Sequence, residues 1–474
     1  MFKLDYKAPC TYLLPKQGPM RVPGLVIASE KLLEQEGMEE PLRQVHNVAT
    51  LQGIIGHSIA MPDMHWGYGF PIGGVAAMDA KEGVISPGGV GYDINCGVRL
   101  ATIKRPFSEF SESSKSKLIN RLFTLIPSGV GHGHQGQALL DSDYRQLFQK
   151  GARWAIEQGF GNAHDLDFME NYGVIGGSDF SAVSAVAKER GKRQLGSIGS
   201  GNHFVEIGEI EKIFFPQVAS EWGIEKGETY VLIHSGSRGL GHQVCQDTLE
   251  KYIREGYAKD LIDRQLVAAS INSPQGQEYF AAMAAAANYA FNNRQKILHQ
   301  VRIAFSEVCD LPLEQVKLLY DVCHNIAKFE DHLVNGQMKK LCVHRKGATR
   351  AFGPGHPELS PLFQKTGQPV IVPGDMKRAS HLLVGSGNPL TWCSCCHGAG
   401  RARSRAQSMK VWGGKNLEEK LAKEGISIRA SSERTIAEEM PDAYKDVDDV
   451  VDAVEEAKLA KKVARLKPSL VIKG

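Results

Sequence analysis

Glycine constrains this chain more than any other residue. Fifty of its 474 residues are glycine, and they gather at 67–91, 196–208, 236–241 and 398–400. Without a Cβ, glycine reaches φ > 0 and lets backbone approach a ligand closely. Such clusters force tight turns between short elements. Turns alone do not require what most of these clusters also carry, which is a His, Cys or Asp. The segments between them read as strands and helices in no regular βαβ order. That pattern predicts an α+β fold with mixed sheets rather than a doubly wound one. No internal repeat, low-complexity linker or clear boundary interrupts 1–474, so one large domain is expected.

The local reading is coarse. Helices are expected over 28–50 with a break at Pro41, and over 112–126, 136–158, 180–192, 401–411 and 446–466. Residues 241–308 read as mostly helical, with a turn near Asn272-Ser273-Pro274 and an Ala-rich helix after it. Residues 54–104 read as short strands and Gly-rich loops. β-branched and aromatic runs predict strands at 203–207, 229–234, 318–322 and 341–344. Residues 370–384 read as strand, then turn.

Composition excludes several classes. Apolar residues make up 42% and charged residues 23% of the chain, an ordinary globular mix, so general disorder is a poor description. The formal net charge is +3, which by itself announces no nucleic-acid binder, although a local basic surface is compatible with it. No run of about 18 apolar residues predicts a membrane span. The opening MFKLDYKAPC lacks the apolar core of a secretory signal. Nine cysteines, odd in number, do not suit a disulfide framework. The expected compartment is the cytoplasm, where thiols stay reduced and free to bind metal.

Three histidines recur in one context. His234 ends the apolar run Tyr230-Val231-Leu232-Ile233 and enters Ser-Gly-Ser-Arg-Gly. His324 follows 318–323 in the same way, and His203 stands between Gly199-Ser200-Gly201-Asn202 and a strand. Asp93 and Cys96 lie three apart in the glycine-flanked loop 91–97. Taken singly, each is as readily a hydrogen-bonded core residue, a turn Asp or a buried free Cys. Together they are a candidate metal cluster. Five ligands exceed one tetrahedral site, but two ions fit if a ligand bridges, and a thiolate such as Cys96 can do so. Softness alone points to zinc for Cys and His, so it does not fix the metal.

Residues 393–401 read Cys-Ser-Cys-Cys-His-Gly-Ala-Gly-Arg. The cysteines are too tightly spaced for a usual zinc knuckle. His397 precedes a Gly-Ala-Gly turn and an expected Arg-rich helix. A helix start whose N–H groups are exposed by glycine suits a phosphate, and a histidine can itself attack phosphorus. A plain N-cap turn with a surface His fits the same residues.

With these motifs in view, the chain resembles the RtcB family of RNA-splicing ligases. The residues that carry the likeness are MPDMHWGYGFPIGG (61–74), GGVGYDINCGVR (88–99), GSIGSGNHFVEIG (196–208), HSGSRGLGH (234–242), CHNIA (323–327), HRKGATRA (344–351), CHGAGR (396–401) and VIKG (471–474). They run along essentially the whole chain, and no ligand or nucleophile position departs from the family pattern.

The resemblance implies mixed sheets and helices around a central metal and nucleotide cleft. It implies a GTP- and manganese-dependent enzyme that joins an RNA 3′-phosphate, or 2′,3′-cyclic phosphate, to an RNA 5′-hydroxyl in tRNA splicing or RNA repair. An activator protein is a further partner compatible with it. By motif, His397 becomes guanylylated. One manganese falls to Asp93, Cys96 and His203, the other to Cys96, His234 and His324. Asn202, Glu206, Ser380, Tyr444 and Lys473 would hold the nucleoside, with Glu206 accepting from guanine; adenine lacks the matching donors. His397, Gly398, Ala399 and Gly400 would hold the phosphates. Arg190, Arg238 and Arg401 are candidates for RNA phosphates. Read by charge alone, the basic run Lys339, Lys340, Arg345, Lys346 and Arg350 suits an RNA backbone and equally a solvated loop. Asp63 and His65 would orient ligands from behind. Two expectations pull against the family pattern. A regular strand over 203–207 turns His203 away from Glu206, and Lys473, so near the last residue of the sequence, would ordinarily fray. The rival class is a dinuclear phosphatase or nuclease without covalent guanylate; a non-catalytic RNA binder is a third.

Overall fold

Two large sheets and one long helix set the geometry of this computed structural model, which describes residues 2–131, 133 and 138–474. One sheet has seven strands. Its spatial order is Asp5–Ala8, Thr11–Leu14, Gly24–Ile27, Ile54–His65, Ile72–Asp79, Gln337–Lys346 and Asn325–Val334. The other has a main path of seven strands: Lys317–Cys323, Gly97–Pro106, Glu228–Ser235, Phe204–Ile213, Ala460–Lys473, Ser380–Gly385 and Pro369–Val372. Ser427–Ala430 joins it as a parallel partner of Ala460–Lys473. Within these two sheets, only that pair and Gly24–Ile27 against Ile54–His65 are parallel. Antiparallel pairing needs no crossover helix, which is why the sequence shows no βαβ rhythm. The α+β expectation holds.

Strand register positions the site. Gly97 pairs with Cys323 on one side and with Ser235 on the other. Phe204 pairs with His234. Four neighbouring strands therefore finish at one rim, their axes about 4.8 Å apart. Cys96 precedes the first residue of one strand, His324 follows the last residue of another, and His203 precedes a third. Behind the rim runs the helix Pro274–Cys309, capped by the Ser273 side chain with proline in its first turn. Ala284, Ala285, Ala286 and Ala287 are fully buried, and their small side chains let the helix axis approach its neighbours.

Several expected elements shift. Pro41 lies inside the first turn of Glu39–Val48 rather than breaking a helix, because a first-turn N–H has no intrahelical acceptor to lose. The helix expected over 136–158 is Asp141–Lys150 and Ala152–Glu157, separated by Gly151 at φ +57°; its first two residues, 136 and 137, lie outside the described residues. The one expected over 180–192 is Ala185–Gly191. Residues 401–404 are not helical, and the helix is Arg405–Trp412 with Ser404 as its N-cap.

The largest difference is at 446–466. The helix stops at Glu456, Lys458 takes a left-handed φ of +57°, and Ala460–Lys473 becomes a strand inside the sheet. Leu459, Val463 and Leu466 recur at helical spacing. Pairing with Phe204–Ile213 and Ser380–Gly385 overrides that pattern. Lys473 is consequently buried opposite Phe204 instead of fraying.

Candidate metal and nucleotide site

Cys96, His203, His234 and His324 are all buried. Cys96 Sγ lies 3.2 Å from His203 Nε2 and 3.3 Å from His234 Nε2. His234 Nε2 is 3.2 Å from His324 Nε2, and His203 Nε2 is 2.8 Å from Asp93 Oδ2. Metal–ligand bonds of about 2.0–2.4 Å place donors on one ion roughly 3–4 Å apart, so these spacings fit shared coordination. The Asp93 oxygens are buried and have no hydrogen-bond partner. Their close approach to His203 is thus a contact without hydrogen-bond alignment, as expected of atoms aimed at a common ion. Donor atoms of Cys96, His203 and His234 all fall within 4.8 Å of one another. The five sequence candidates thus lie side by side, and three of them, Cys96, His203 and His234, form a Cys/His cluster with the spacing to bind metal.

His203 reaches it because the strand begins one residue later, at Phe204. The turn before it is fixed when the Gly199 N–H donates to His203 Nδ1 at 3.0 Å. That bond leaves Nε2 toward Cys96. The conflict expected from a strand starting at 203 does not arise.

Electrostatics support the cluster. Burial opposes the Asp93 carboxylate, yet the facing His203 holds it below its ordinary value. Burial and the neighbouring imidazoles push His234 and His324 well below theirs, so both are neutral, the form that binds metal. Burial and Asp93 push the Cys96 thiol well up. Binding a cation there must therefore expel a proton.

His397 borders the cluster, its ring centroid 4.7 Å from that of His324. Asp63 Oδ2 lies 2.5 Å from His397 Nδ1 and accepts the His397 backbone N–H at 3.1 Å. A carboxylate only accepts, so Nδ1 carries a proton, and in the neutral imidazole it is Nε2 that keeps the lone pair. Asp63 therefore orients His397 rather than a metal ligand. His65, whose Nδ1 faces the Asp63 carbonyl at 3.0 Å, is pushed down to about 4 by burial. Gly400, at φ +73°, packs where a Cβ would strike the Asp63 backbone, which holds the 397–400 loop against this pair. That loop presents its glycines directly rather than through a helix start.

A cavity of about 640 Å³ joins this centre to a second cluster. Its walls include Asn202, Gly398, Ala399 and Gly400. Glu206 is buried there, accepting from Tyr230 OH at 2.6 Å and Ser380 Oγ at 3.4 Å. Burial raises its carboxyl to about 7. Lys473 Nζ donates to the Gly201 carbonyl at 3.1 Å and stands 3.7 Å from Glu439. Burial lowers the Lys473 ammonium. Tyr444 OH donates to Glu439, and Arg401 pairs with the same carboxylate at 2.9 Å.

Sequence reasoning missed Tyr230, Glu439 and Lys445. Lys445 is buried, donates Nζ to the carbonyls of Pro62 and Met64 on either side of Asp63, and is lowered to about 8 by burial. No spacing in its acidic, helix-like surroundings singles out Glu439. Tyr230 carried a signal, since it sits in the strand already assigned to His234.

The arginine expectations divide. Arg190 is exposed and donates to Gln243. Arg238 is half-buried, donating to Ser197 Oγ and the Gly129 carbonyl. Arg401 spends its fork on Glu439 and the Glu438 carbonyl. The basic run is not one surface. Lys339 and Lys340 are exposed, but Arg345 is a buried bidentate partner of Glu330, Arg350 pairs with Glu170 and Glu358, and Lys346 donates to the carbonyls of Tyr68 and Phe70. Cys395 and Cys396 are buried in a strand paired with Ala348–Arg350, which fits no knuckle.

A buried Cys and His cluster able to bind metal, beside a carboxylate-held histidine and in a cavity with a second polar end, is the site of a protein with a candidate metal centre. The chain belongs to the RtcB family: the family model described as tRNA-splicing ligase RtcB matches residues 44–474. A tRNA-splicing ligase RtcB from Archaeoglobus fulgidus is 49% identical, over 99% of this chain and 98% of its own length. One from Thermococcus kodakarensis is 48% identical, over 96% and 95%. An RNA-splicing ligase RtcB from Mycobacterium tuberculosis is 47% identical, over 91% of this chain and its whole length. Among the described residues, no helix is long and apolar enough to cross a membrane.

Proposed function

We propose that this chain is an RNA ligase that uses GTP and manganese to join an RNA 3′-phosphate, or a 2′,3′-cyclic phosphate, to a 5′-hydroxyl. The observation that carries the reading is His397: its Nδ1 is committed to Asp63 and its ring touches that of His324 in the metal cluster. Residues 1–474 act as one catalytic unit, since the cavity is walled by side chains from Glu36 to Lys473. A reducing compartment, the cytoplasm, suits nine free cysteines.

Asp93, Cys96 and His203 would hold one manganese ion and Cys96, His234 and His324 a second, which when bound would supply positive charge to the reacting phosphates. His397 Nε2 attacks the α-phosphorus of GTP. A phosphorus–nitrogen bond forms, the phosphorus–oxygen bond to pyrophosphate breaks, and Asp63 holds the Nδ1 proton throughout. The RNA 3′-phosphate then displaces His397 from the guanylyl phosphorus. Finally the 5′-hydroxyl attacks the activated 3′-phosphate, its proton leaves, and GMP departs. A cyclic end is first hydrolysed to a 3′-phosphate. Asn202, Glu206, Ser380, Tyr444 and Lys473 hold the nucleoside, and Gly398, Ala399 and Gly400 lie along its phosphates. Glu206 as acceptor for guanine N1–H and the 2-amino group favours GTP over ATP. Arg190 and Arg238 meet RNA phosphates, while Arg401 acts on the nucleotide side through Glu439. An activator protein, where one assists, would act on turnover of this cycle.

The test is incubation with Mn²⁺ and GTP labelled at the α-phosphate. An acid-labile, alkali-stable GMP adduct is expected on the protein and none on His397→Asn. Hydrolysis of RNA ends without any adduct would transfer the chain to the dinuclear hydrolase reading.

A further inference from the structure

Arg294 sits in the middle of the helix Pro274–Cys309, has no exposed surface, and touches none of the five proposed ligands' donor atoms. A guanidinium has five N–H donors, and here all five are used. Nε and Nη2 form a fork on Asp321, at 2.9 and 2.8 Å. Nη1 donates to the Asn95 carbonyl at 2.8 Å and to the Ser235 carbonyl at 3.1 Å. The second Nη2 proton reaches Asn95 Oδ1 at 3.3 Å.

The partners are not scattered. Asn95 immediately precedes Cys96, Ser235 immediately follows His234, and Asp321 lies on the strand that ends one residue before His324. Asn95 itself is held in the left-handed region at φ +52° and donates Nδ2 to the Ala287 carbonyl of the same helix at 2.7 Å. At Gly97 a Cβ would come within 2.9 Å of Arg294 Cζ, so the absence of a side chain there is what lets the guanidinium press on the ligand loop. None of these Arg294 hydrogen bonds goes to Asp93, whose carbonyl accepts from Asn325 Nδ2 at 3.0 Å, or to a neighbour of His203. The segment leading to His203 is instead held by the neighbouring Asn293, whose Oδ1 accepts from the N–H groups of Gly196 and Ser197.

We infer that Arg294 is a positioning residue that sets the mutual spacing of Cys96, His234 and His324, and so tunes the affinity of the ion those three would hold more than that of its neighbour, which shares only Cys96 with them. The inference rests on the two-ion reading given above. Groups that orient ligands from behind typically account for roughly 10–100-fold in metal affinity. A lysine cannot reproduce a planar fork that serves three backbone segments at once.

The experiment titrates Mn²⁺ alone into the full-length protein, with bound ion counted by electron paramagnetic resonance and folding followed by near-ultraviolet circular dichroism. The unmodified protein should bind two ions. Arg294→Lys, folded, should keep one and bind the other roughly 10–100-fold more weakly, with loss of the spin coupling between the pair. Asp321→Asn weakens the anchor of the fork without changing its shape, and supplies the same readout with a smaller shift if Arg294→Lys does not fold. Folded variants that bind two coupled ions with unchanged affinity would overturn the inference, because a purely structural arginine lowers the melting temperature without altering ion count. Failure of the unmodified protein itself to bind Mn²⁺ would overturn the metal reading, and this inference with it.

Discussion

At the metal end of the cavity, both Asp93 oxygens are buried without a hydrogen-bond partner, and the Nε2 atoms of His234 and His324 face Cys96 and each other at 3.2–3.3 Å. At the nucleotide end, Glu206 is already bonded by Tyr230 and Ser380, and Glu439 by Tyr444, Arg401 and Lys473. Unpartnered buried polar groups are costly, so the metal end is built for something to fill it. The other end is satisfied alone and would have to exchange partners to take the proposed nucleotide. Loss of a group should then be close to all-or-none at the first end and graded at the second.

The sharpest way to break this contrast is Cys96→Ser. A hydroxyl is a poor substitute for a bridging thiolate. Ligation should fall by on the order of 10³-fold or more, the upper range for losing a preorganised electrostatic group, and bound Mn²⁺ should drop below two per chain by paramagnetic resonance. Full ligation with two ions would show that Cys96 bridges nothing. Asp63→Asn comes next. The amide presents an N–H or a weaker acceptor to Nδ1 and frees the imidazole to place its proton on Nε2. Guanylylation, followed as labelled adduct in a single turnover, should slow by on the order of 10²–10³-fold while Mn²⁺ binding is retained. Retained guanylylation would mean that the 2.5 Å contact does not set the tautomer.

At the nucleotide end the effects should be smaller and appear in affinity. Lys473→Met removes a buried cation between Glu439 and the Gly201 carbonyl. Loss of a charged hydrogen bond costs about 1.5–3 kcal/mol, so the KM for GTP should rise roughly 10–100-fold with Mn²⁺ stoichiometry unchanged. A change in ion count instead would merge the two ends into one unit.

The two ends also differ in how far the sequence reveals them. The candidate metal ligands sit in a glycine-flanked loop or at the ends of apolar strands, a local pattern that is legible before the long-range antiparallel pairing brings those strand ends to one rim. Lys473 is in the site only because Ala460–Lys473 pairs in the sheet interior, whereas its Leu459, Val463 and Leu466 spacing imitates a helix. Glu439 and Tyr230 gain meaning from partners far away in the chain. The same holds in reverse for Arg345 and Arg350. As sequence they join a basic run, but Glu330, Glu170 and Glu358 consume their charge in the interior. Charge patterning cannot distinguish a solvated lysine from an arginine whose carboxylate comes from another strand.

The finest test of the contrast is pH. Burial raises the Glu206 carboxyl to about 7, above its unfolded value, so folding favours its protonated form. The stability tied to that proton is fully present below the unfolded value near 4.5 and is lost as pH rises through about 7. Guanine requires the opposite, because N1–H and the 2-amino group donate and only the ionised carboxylate accepts both. Below pH 7, GTP binding must first remove the proton, so affinity should fall by up to about tenfold per pH unit; above it, affinity should level off. Ligand-induced stabilisation follows affinity, so saturable GTP should raise the melting temperature more at pH 8 than at pH 6. In Glu206→Gln that difference should disappear, with weaker binding at both values, because an amide does not titrate. A difference that persists unchanged in Glu206→Gln would assign the proton to another group and remove Glu206 as the guanine acceptor.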